Sequence, residues 1–263
     1  MKTLITFCLW TFTIISFAQT DTKKAELIDQ TEVNADVFIG YDKFDFLYFI
    51  KDNVIHKQKK DVSLEYKNLA LGKITKVDLL NPLKVIVFYE RFNTIITLDN
   101  QLNETLKINF SELKIPLMVS NMGIASQNRL WVFDQITQQI YLYDTLNGTL
   151  KSLGTPISEE IVFYNSDFNY FEWLDDKKQW YQCSLFGTIE NLNYQFDFDI
   201  ILFANSELIF YKKDATVFIF NRKTNEVFSI ENIEKSFENL TYKNQILSIF
   251  TNRGISNYKI TIP

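Results

Sequence analysis

The segment "RLWVFDQITQQIYLYDTLNG" (Arg129–Gly148) contains the pattern that decides the fold. Two dense apolar runs, Leu130–Phe133 and Ile140–Tyr143, flank a polar stretch, and each run is followed by an aspartate, Asp134 or Asp144. Short runs rich in aromatic and β-branched residues, separated by polar turn residues, predict the two strands of a β-hairpin. Neither run alternates apolar with polar residues, so we expect both faces of each strand to be buried and the aromatic side chains to belong to the core.

The same hairpin pattern recurs along the chain. Leu130–Asp144 aligns without a gap with Val85–Asp99, and Trp131–Asp144 aligns in the same way with Leu208–Asn221. Weaker copies complete the series, and the position of Phe133 recurs about every 40 residues, at Ile50, Phe88, Phe133, Leu174, Phe210 and Phe250. A period of this length predicts an all-β fold, a β-propeller of about six blades.

Further apolar segments supply the other strands of each blade. One precedes every hairpin, at Val37–Ile39, Val77–Leu80, Leu117–Val119, Ile161–Tyr164, Ile200–Phe203 and Leu240–Tyr242. Another follows most hairpins, which gives the four strands that a propeller blade contains. The sixth copy stops after Ile260 without an outer strand. We therefore expect Ala25–Val33 to provide this strand and close the ring, which removes exposed sheet edges.

Other all-β architectures compete with this prediction. A seven-bladed ring, a pair of β-sandwiches and an open β-solenoid all use short strands separated by turns. A sandwich does not require a repeat of about 40 residues, so the propeller is favoured. Helix is expected to be minimal, with a single turn at Ile233–Leu240 as its candidate.

The first 18 residues have the features of a secretory signal peptide. Lys2 is followed by the uncharged apolar run Leu4–Phe17, and Ser16 and Ala18 place small residues before a predicted cleavage site. The alternative is an N-terminal membrane anchor, but the run is shorter than the roughly 20 residues of a spanning helix. We expect residues 1–18 to be removed, residues 19–263 to form one propeller domain without a membrane span, and the mature protein to be periplasmic.

Composition argues against several classes of function. The formal net charge is −5 and no strongly basic cluster occurs, so nucleic-acid binding is not expected. The chain has a single histidine, His56, and Cys183 is the one cysteine outside the signal segment, so a multi-histidine zinc site is not expected. A Ser-His-Asp triad would have to use His56, which lies in no nucleophile-elbow context. No phosphate-binding or dinucleotide-binding glycine motif is present. The sequence therefore predicts no catalytic residues, no metal and no cofactor.

The stretch "FNYFEWLDDKKQW" (Phe168–Trp180) is the densest group of aromatic and acidic residues. Trp and Tyr are enriched at protein interfaces, so one hypothesis is a protein-docking patch formed by Phe168, Tyr170, Trp173 and Trp180. Core packing is the alternative for the same rings. A third possibility is a glycoside-cleaving site that uses Glu172, Asp175 or Asp176, since glycosidases act with two carboxylates. Asp175 and Asp176 also fit a hairpin turn.

Thr145 is a candidate modification site. Asp144, Thr145 and Leu146 fit a pattern of aspartate, hydroxyl residue and apolar residue that resembles the O-glycosylation motif of Bacteroidota. The three residues lie on a predicted turn, where a glycan would find room. The sequence therefore predicts O-glycosylation at Thr145.

Several features together resemble small exported β-propeller proteins of Bacteroidota. They are the signal ending "SFAQT", the composition rich in Asn, Lys, Ile and Phe, and the phrases "FNTIITLDNQLNE" (Phe92–Glu104) and "LWVFDQITQQIYLYD" (Leu130–Asp144). The resemblance spans the mature chain, but its phrases describe blades and transfer no site residues. One protein of this group plugs the periplasmic mouth of the type IX secretion translocon, which implies a protein that seals or gates an outer-membrane channel.

Two functions follow from these observations. The first is a non-enzymatic periplasmic propeller that binds a protein partner in an outer-membrane or envelope complex, in its sharpest form the type IX translocon. The second is a carbohydrate-binding or glycoside-cleaving propeller that uses acids and aromatic rings. The two differ in a way that a structure can address, because a glycosidase needs two carboxylates facing one cleft, about 5 to 10 Å apart.

Overall fold

The chain folds into a ring of six β-sheets, seen in a computed structural model that describes residues 21–262. Two strands precede the first blade, β1 (Asp21–Lys24) and β2 (Glu26–Thr31). Blade 1 contains β3 (Val37–Tyr41), β4 (Leu47–Lys51), β5 (Val54–Lys59) and β6 (Val62–Tyr66). Blade 2 contains β7 (Lys76–Asp78), β8 (Val85–Tyr89), β9 (Thr94–Leu98) and β10 (Glu104–Asn109). Blade 3 contains β11 (Val119–Ile124), β12 (Arg129–Asp134), β13 (Gln139–Asp144) and β14 (Thr149–Leu153).

The second half of the ring repeats this order. Blade 4 contains β15 (Ile161–Ser166), β16 (Tyr170–Asp175), β17 (Gln179–Ser184) and β18 (Ile189–Gln195). Blade 5 contains β19 (Ile200–Phe203), β20 (Leu208–Lys213), β21 (Thr216–Asn221) and β22 (Glu226–Glu231). Blade 6 contains β23 (Asn239–Lys243), β24 (Ile246–Thr251) and β25 (Gly254–Lys259), with β2 as its fourth strand. The predicted six-bladed propeller is thus confirmed.

The N-terminal segment closes the ring. β2 pairs antiparallel with β25, from Glu26 opposite Lys259 to Thr31 opposite Ile255, which confirms the predicted closing strand. The segment also does something that the sequence did not indicate. β1 pairs parallel with β22 as a fifth strand of blade 5, and the polar sequence of β1 gave no strand signal. Residues 21–31 therefore connect blades 5 and 6, because β1 pairs with the outer strand of blade 5 and β2 forms the outer strand of blade 6.

The apolar runs are buried because each blade packs against two neighbours. Leu130 and Val132 of β12 belong to the core between blades 2 and 3, whereas Trp131 and Phe133 belong to the core between blades 3 and 4. Alternate side chains of a strand point to opposite faces of its sheet. A continuous apolar run is therefore the expected pattern for a strand between two blades, and the core role of these aromatic rings is confirmed.

The six interfaces between blades differ in size. Between blades 5 and 6 the core is extensive, with Phe210, Ile219 and Leu247 fully buried. Between blades 6 and 1 the fully buried hydrophobic residues of the described chain are Phe38, Phe250 and Ile255. This interface, which we call the seam, is where the two ends of the repeat series meet. The seam has the smallest apolar core among the interfaces of residues 21–262.

Two local predictions were wrong. The inner strand of blade 3 spans Val119–Ile124 and not Leu117–Val119, because inner strands line the axis and carry polar or small residues such as Asn121. The segment 232–238 forms bends and not a helical turn, and β23 begins at Asn239. The short helical turns that the structure contains are 3-10 turns at Glu90–Phe92 and Phe110–Glu112. No helix among the described residues has the length and apolar character to cross a membrane.

The turns lie on two faces of the ring, because neighbouring strands of a blade run antiparallel. Face 1 carries the turns between first and second strands (42–46, 79–84, 125–128, 167–169, 204–207 and 244–245) and between third and fourth strands (60–61, 99–103, 145–148, 185–188 and 222–225). Face 2 carries the turns between second and third strands (52–53, 90–93, 135–138, 176–178, 214–215 and 252–253) and the links between blades.

Candidate functional site

Face 1 of blades 2, 3 and 4 exposes a group of large apolar side chains. They lie on the turns of these blades or directly beside them, and we call this group the face-1 patch: Leu80, Leu83, Leu146, Phe168, Tyr170 and Phe186. Turns normally expose polar residues, and the turns of this patch do contain Asn and Asp. The apolar members are therefore the part of the turns that folding alone does not require.

Hydrogen bonds between turns hold the patch together across three blades. Lys84 Nζ of blade 2 donates to Thr145 Oγ1 of blade 3 at 3.3 Å, and Thr145 Oγ1 donates to the Asn128 carbonyl at 2.7 Å. The Ser126 amide of blade 3 donates to the Phe168 carbonyl of blade 4 at 2.9 Å. The turns therefore form one connected surface.

The two turns of blade 4 complete this surface. The Leu185 amide donates to the Asn169 carbonyl at 3.2 Å, which joins the turn of Phe168 to the turn of Phe186. Asp167 Oδ1 accepts the amides of Asn169 and Tyr170 at 2.7 and 2.8 Å. A carboxylate that accepts two backbone N–H groups fixes a tight turn. The apolar side chains are consequently carried on ordered backbone.

A cleft opens inside the patch, between the first turns of blades 2 and 3. It encloses about 280 Å³, and its lining includes Asn81, Lys84, Arg129 and Phe168. Lys84 and Arg129 bring two positive charges to a wall that also contains an aromatic ring. Burial lowers the pKa of Lys84, because the ammonium loses water without gaining a carboxylate.

Neither cation of the cleft forms an ion pair within 4 Å among residues 21–262, although Arg129 lies opposite Asp144 in the pairing of β12 with β13. Lys84 Nζ makes its one side-chain hydrogen bond to Thr145, and no carboxylate oxygen lies within 4 Å of it. Arg129 donates from Nε and Nη2 to the carbonyl and hydroxyl of Ser126, at 3.0 and 3.2 Å. An ammonium has three N–H donors and a guanidinium has five. Donors therefore remain free on both side chains.

Of the four rings predicted to form a docking patch on blade 4, two are exposed and two are buried. Phe168 lies in the turn before β16 and Tyr170 is the first residue of this strand, and both are 40% exposed. Trp173 and Trp180 are buried, so their assignment to a docking surface was wrong. Trp173 stacks on Tyr181 within the interface to blade 3, and Trp180 packs in the core between blades 4 and 5. In the middle of a strand, a large ring fills the gap between blades.

The acidic residues proposed for glycoside cleavage have structural partners. Glu172 is buried, and its Oε1 accepts a hydrogen bond from Arg222 Nη2 at 2.8 Å. Burial raises the pKa of Glu172, and the charge of Arg222 partly offsets this effect. Asp175 is also buried, and its Oδ1 accepts the Gln179 amide in the predicted hairpin turn at 2.7 Å. Only Asp176 is exposed, so these residues do not provide two carboxylates facing one open cleft.

The isolated histidine and cysteine lie in strands. His56 of β5 stacks on Phe49, with 4.8 Å between the ring centres, and its Nδ1 lies 3.2 Å from Glu65 Oε1. Cys183 of β17 is buried, and this burial raises the pKa of its thiol to about 12. Within the part of the chain that the structure describes, no group of three or more His, Cys, Asp or Glu residues is arranged to hold a metal ion.

Thr145 lies at the turn that the sequence predicted, inside the face-1 patch. Asp144 Oδ1 accepts the amides of Leu146 and Asn147 at 2.8 and 3.0 Å, so this aspartate caps the turn. The Thr145 hydroxyl is half-buried and already takes part in two hydrogen bonds. A glycan on this oxygen would replace its bond to Asn128. O-glycosylation at Thr145 stays a prediction.

Face 2 also exposes apolar side chains. They lie mostly on blades 1 to 3 and comprise Leu69, Phe92, Ile115, Met118 and Ile136. The Gln135 amide donates to the Met118 carbonyl at 2.9 Å, so two of these turns are joined. Among the best-defined clefts of the described residues, none with two unpaired cations opens on this face. The two faces therefore both expose apolar side chains, and the cleft that contains two cations lies on face 1.

Sequence reasoning found one edge of the site and missed its centre. The aromatic density of Phe168–Trp180 pointed to blade 4, and Phe168 does line the cleft. Lys84 and Arg129 gave no signal, because each is a single cation in an ordinary turn or strand end. Exposed apolar residues in polar turns, such as Leu146 and Phe186, were the signal that could have found the patch.

Comparison with known proteins supports the fold. No protein-family model matches the chain, and no curated protein matches it. A member of the DUF4221 family from Bacteroides vulgatus is 10% identical with a TM-score of 0.61, and the match covers 93% of this chain and 97% of that one.

Two further solved structures have similar folds, and their names describe different kinds of protein. Virginiamycin B lyase from Staphylococcus aureus is 12% identical with a TM-score of 0.55, and the match covers 93% of this chain and 96% of the lyase. The Cps50 (Swd1) β-propeller domain from Myceliophteria thermophila is 8% identical with a TM-score of 0.60, covering 90% of this chain and 100% of that domain. Identities this low show a shared fold alone, since propellers carry many functions.

Proposed function

We propose that this protein is a non-enzymatic, periplasmic propeller that binds a protein partner of the envelope through its face-1 patch. The observation that carries the proposal is the set of exposed apolar side chains on turns that are hydrogen-bonded across blades 2, 3 and 4. Exposed apolar side chains are common singly, but a cluster marks an interaction site. An ordered surface loses little conformational entropy on binding, which favours a specific complex.

The sharper form of the proposal concerns the partner. The resemblance to small exported Bacteroidota propellers suggests an outer-membrane complex, and in particular a role in sealing or gating the periplasmic side of the type IX secretion translocon. The solved Bacteroides vulgatus propeller is consistent with such folds in Bacteroidota and carries no information on this role. A sealing subunit needs a broad, rigid face, which a closed ring of six blades provides.

Two matched double variants test the proposal. In the first, Leu146→Glu and Phe186→Glu charge the face-1 patch at positions that are 75% and 89% exposed. In the second, Ile136→Glu and Leu69→Glu charge face 2 at positions that are 70% and 83% exposed. Substitutions at such exposed sites change stability by less than about 0.5 kcal/mol. Both variants should therefore fold like the wild type.

The measurement is affinity purification of the tagged protein from the native envelope after mild detergent extraction. The wild type and the face-2 variant should recover the same outer-membrane proteins, and the face-1 variant should lose them. Recovery of the wild-type protein without any outer-membrane protein would contradict the proposal. If the face-2 variant lost these proteins and the face-1 variant kept them, the interface would lie on face 2.

A further inference from the structure

The cleft in the face-1 patch indicates the chemistry of the partner. We propose that it receives an acidic side chain of the partner protein, whose carboxylate binds Lys84 and Arg129 while neighbouring apolar residues contact Leu83, Leu146 and Phe168. This inference rests on the proposed function, because it places one contact at the centre of that docking surface.

The first argument is that Lys84 loses water on burial without gaining a carboxylate, and that Arg129 makes no ion pair with Asp144, the residue opposite it. Lys84 and Arg129 lie in one cleft, and neither is paired with a carboxylate among the described residues. Half-buried cations without a partner are unfavourable, since water is lost and no charge replaces it. A carboxylate placed between the two side chains would accept charge-assisted hydrogen bonds from both.

The second argument concerns the acidic residues that surround the cleft. Three aspartates lie in the adjoining turns, and each accepts backbone N–H groups of the protein itself. Asp78 accepts the amides of Leu80 and Ile124 at 2.8 and 2.9 Å, Asp144 those of Leu146 and Asn147, and Asp167 those of Asn169 and Tyr170. Each of these carboxylates accepts hydrogen bonds from backbone amides of the turns, and none forms an ion pair with Lys84 or Arg129 among the described residues. The cations, by contrast, retain free donors that can reach a ligand.

The third argument is size. The cleft encloses about 280 Å³, which is slightly below the roughly 300 Å³ at which pockets for drug-sized ligands begin. It is open, Phe168 lies on its wall, and Leu83, the exposed neighbour of Lys84 in sequence, belongs to the same turn as Asn81 of the lining. This volume suits one or two side chains of a docked protein better than a cofactor. A contact with a charged centre and an apolar surround is a common arrangement for interface hot spots.

Zero-length crosslinking tests the contact directly. A water-soluble carbodiimide joins an amine to a carboxylate only when the two are in contact, so it should link Lys84 to an Asp, Glu or C-terminal residue of the partner in the native envelope. Mass spectrometry of the digested product should identify a peptide that contains Lys84 joined to an acidic peptide of another protein. Absence of this product, with crosslinks at other lysines present, would contradict the inference.

Substitutions at the cleft give a second measurement. Lys84→Gln alone and combined with Arg129→Gln should reduce the complex recovered from the envelope by about tenfold or more, as loss of a charge-assisted bond does. Lys84→Arg should keep the complex but lose the crosslink, because it retains the charge without a reactive amine. Lys67→Gln with Lys114→Gln removes two exposed cations from face 2 and should change neither result.

The outcomes separate this inference from the proposed function. If Lys84→Gln leaves recovery unchanged while Leu146→Glu with Phe186→Glu abolishes it, the docking surface stands and the carboxylate contact is wrong. If no face-1 variant changes recovery, both are wrong. Arg129 also holds the turn of Ser126, so melting curves accompany the double variant. Lys84→Gln, which removes a single side-chain hydrogen bond to Thr145, decides between these outcomes if the double variant melts at a lower temperature.

Discussion

Glu172 places a carboxylate inside the interface between blades 4 and 5, where Arg222 is its ion-pair partner among residues 21–262. Burial raises the pKa of Glu172 above the usual 4.5. The folded state therefore binds this proton more tightly than the unfolded state does. The stability that this tighter proton binding contributes is fully present below pH 4.5. This contribution is lost as the pH rises through the raised pKa of Glu172 in the folded state. At neutral pH the fold consequently depends on Arg222 to hold an ionised group in a buried position.

Arg222→Ala should destabilise the protein strongly at pH 7 and less at low pH. The substitution leaves the Glu172 carboxylate buried without a partner, which costs about 3 kcal/mol at neutral pH. Lowering the pH protonates this carboxyl and removes the need for a cation. The free energies of unfolding of the variant and the wild type should therefore converge as the pH falls from 7 towards 5. Denaturant unfolding at a series of pH values measures this difference.

Two further variants make the Arg222 experiment specific. Glu172→Gln combined with Arg222→Ala should recover most of the lost stability. Its free energy of unfolding should no longer approach that of the wild type as the pH falls. Lys223→Ala, at the exposed neighbouring position, should have no effect. Because Arg222 also lies over the Trp180 ring at 4.4 Å, part of the loss will persist at every pH. A loss that is independent of pH throughout would show that packing alone accounts for the pair.

Cys183 should be unreactive in the folded protein. The thiolate is the reactive form of cysteine, and burial raises the pKa of this thiol to about 12. In protein that begins at Gln19, a disulfide reagent at pH 8 should modify Cys183 only as fast as the fold opens. Addition of denaturant should give rapid and complete labelling. Rapid labelling in native buffer would show that blades 3 and 4 separate readily, because the thiol lies in their shared core.

At the scale of strands, ring closure depends on Gly254 at the start of β25. Its φ is +124°, and a Cβ atom there would lie 2.2 Å from the Thr31 carbonyl oxygen of the closing strand. Gly254→Ala should therefore cost about 3 kcal/mol, a value near the upper end for single substitutions. Thermal and denaturant unfolding measure the loss, and hydrogen exchange should place it at β2.

Gly148→Ala is the matched control for Gly254→Ala. Gly148 also has a positive φ, +65°, but the nearest atom to an added Cβ is the Tyr143 hydroxyl at 3.8 Å. Only the backbone penalty of roughly 1 kcal/mol then applies. Equal losses in the two variants would mean that backbone conformation, and not contact with the closing strand, explains the role of Gly254.

The strands that the sequence could predict are those buried between blades. The second and third strands carry continuous apolar runs, such as Val85–Phe88 and Leu130–Phe133, because both of their faces pack on neighbours. The first strand of blade 3 was misplaced, since the polar residues Ser120 and Asn121 interrupt its apolar pattern. β1 was not predicted, because a polar strand on an outer edge pairs through its backbone and polar side-chain contacts, such as that of Thr22 with Ser229, and carries no apolar pattern.

The candidate site shows a similar limit. Phe168 and Tyr170 were identified from aromatic density, yet the same argument selected the buried rings Trp173 and Trp180. Composition does not distinguish a turn residue from a strand residue in one short segment. The cleft could not be predicted from the sequence for a different reason. Lys84 and Arg129 are far apart in sequence, and only the packing of blade 2 against blade 3 brings them together.

At the scale of the whole molecule, the ring is a closed series of blade interfaces of unequal strength. Residues 21–31 cover the outer edges of blades 5 and 6, and the core between those blades is large. The seam between blades 6 and 1 relies on Phe38, Phe250 and Ile255. In a closed ring, every interface must open before the blades separate fully, but opening begins where the least apolar surface is lost.

We therefore expect the ring to open first at the seam. Phe38 is 1% exposed and lies at the centre of this small core. Phe38→Ala should cost roughly 3–5 kcal/mol of local packing and should speed hydrogen exchange in β3, β25 and β2 while other blades stay protected. Phe88→Ala removes an equally buried ring from the large core between blades 2 and 3, so it should lower protection around the whole ring. Hydrogen exchange followed by mass spectrometry distinguishes the two patterns. Uniform loss of protection in the Phe38→Ala variant would mean that the seam and the other interfaces open as one cooperative unit.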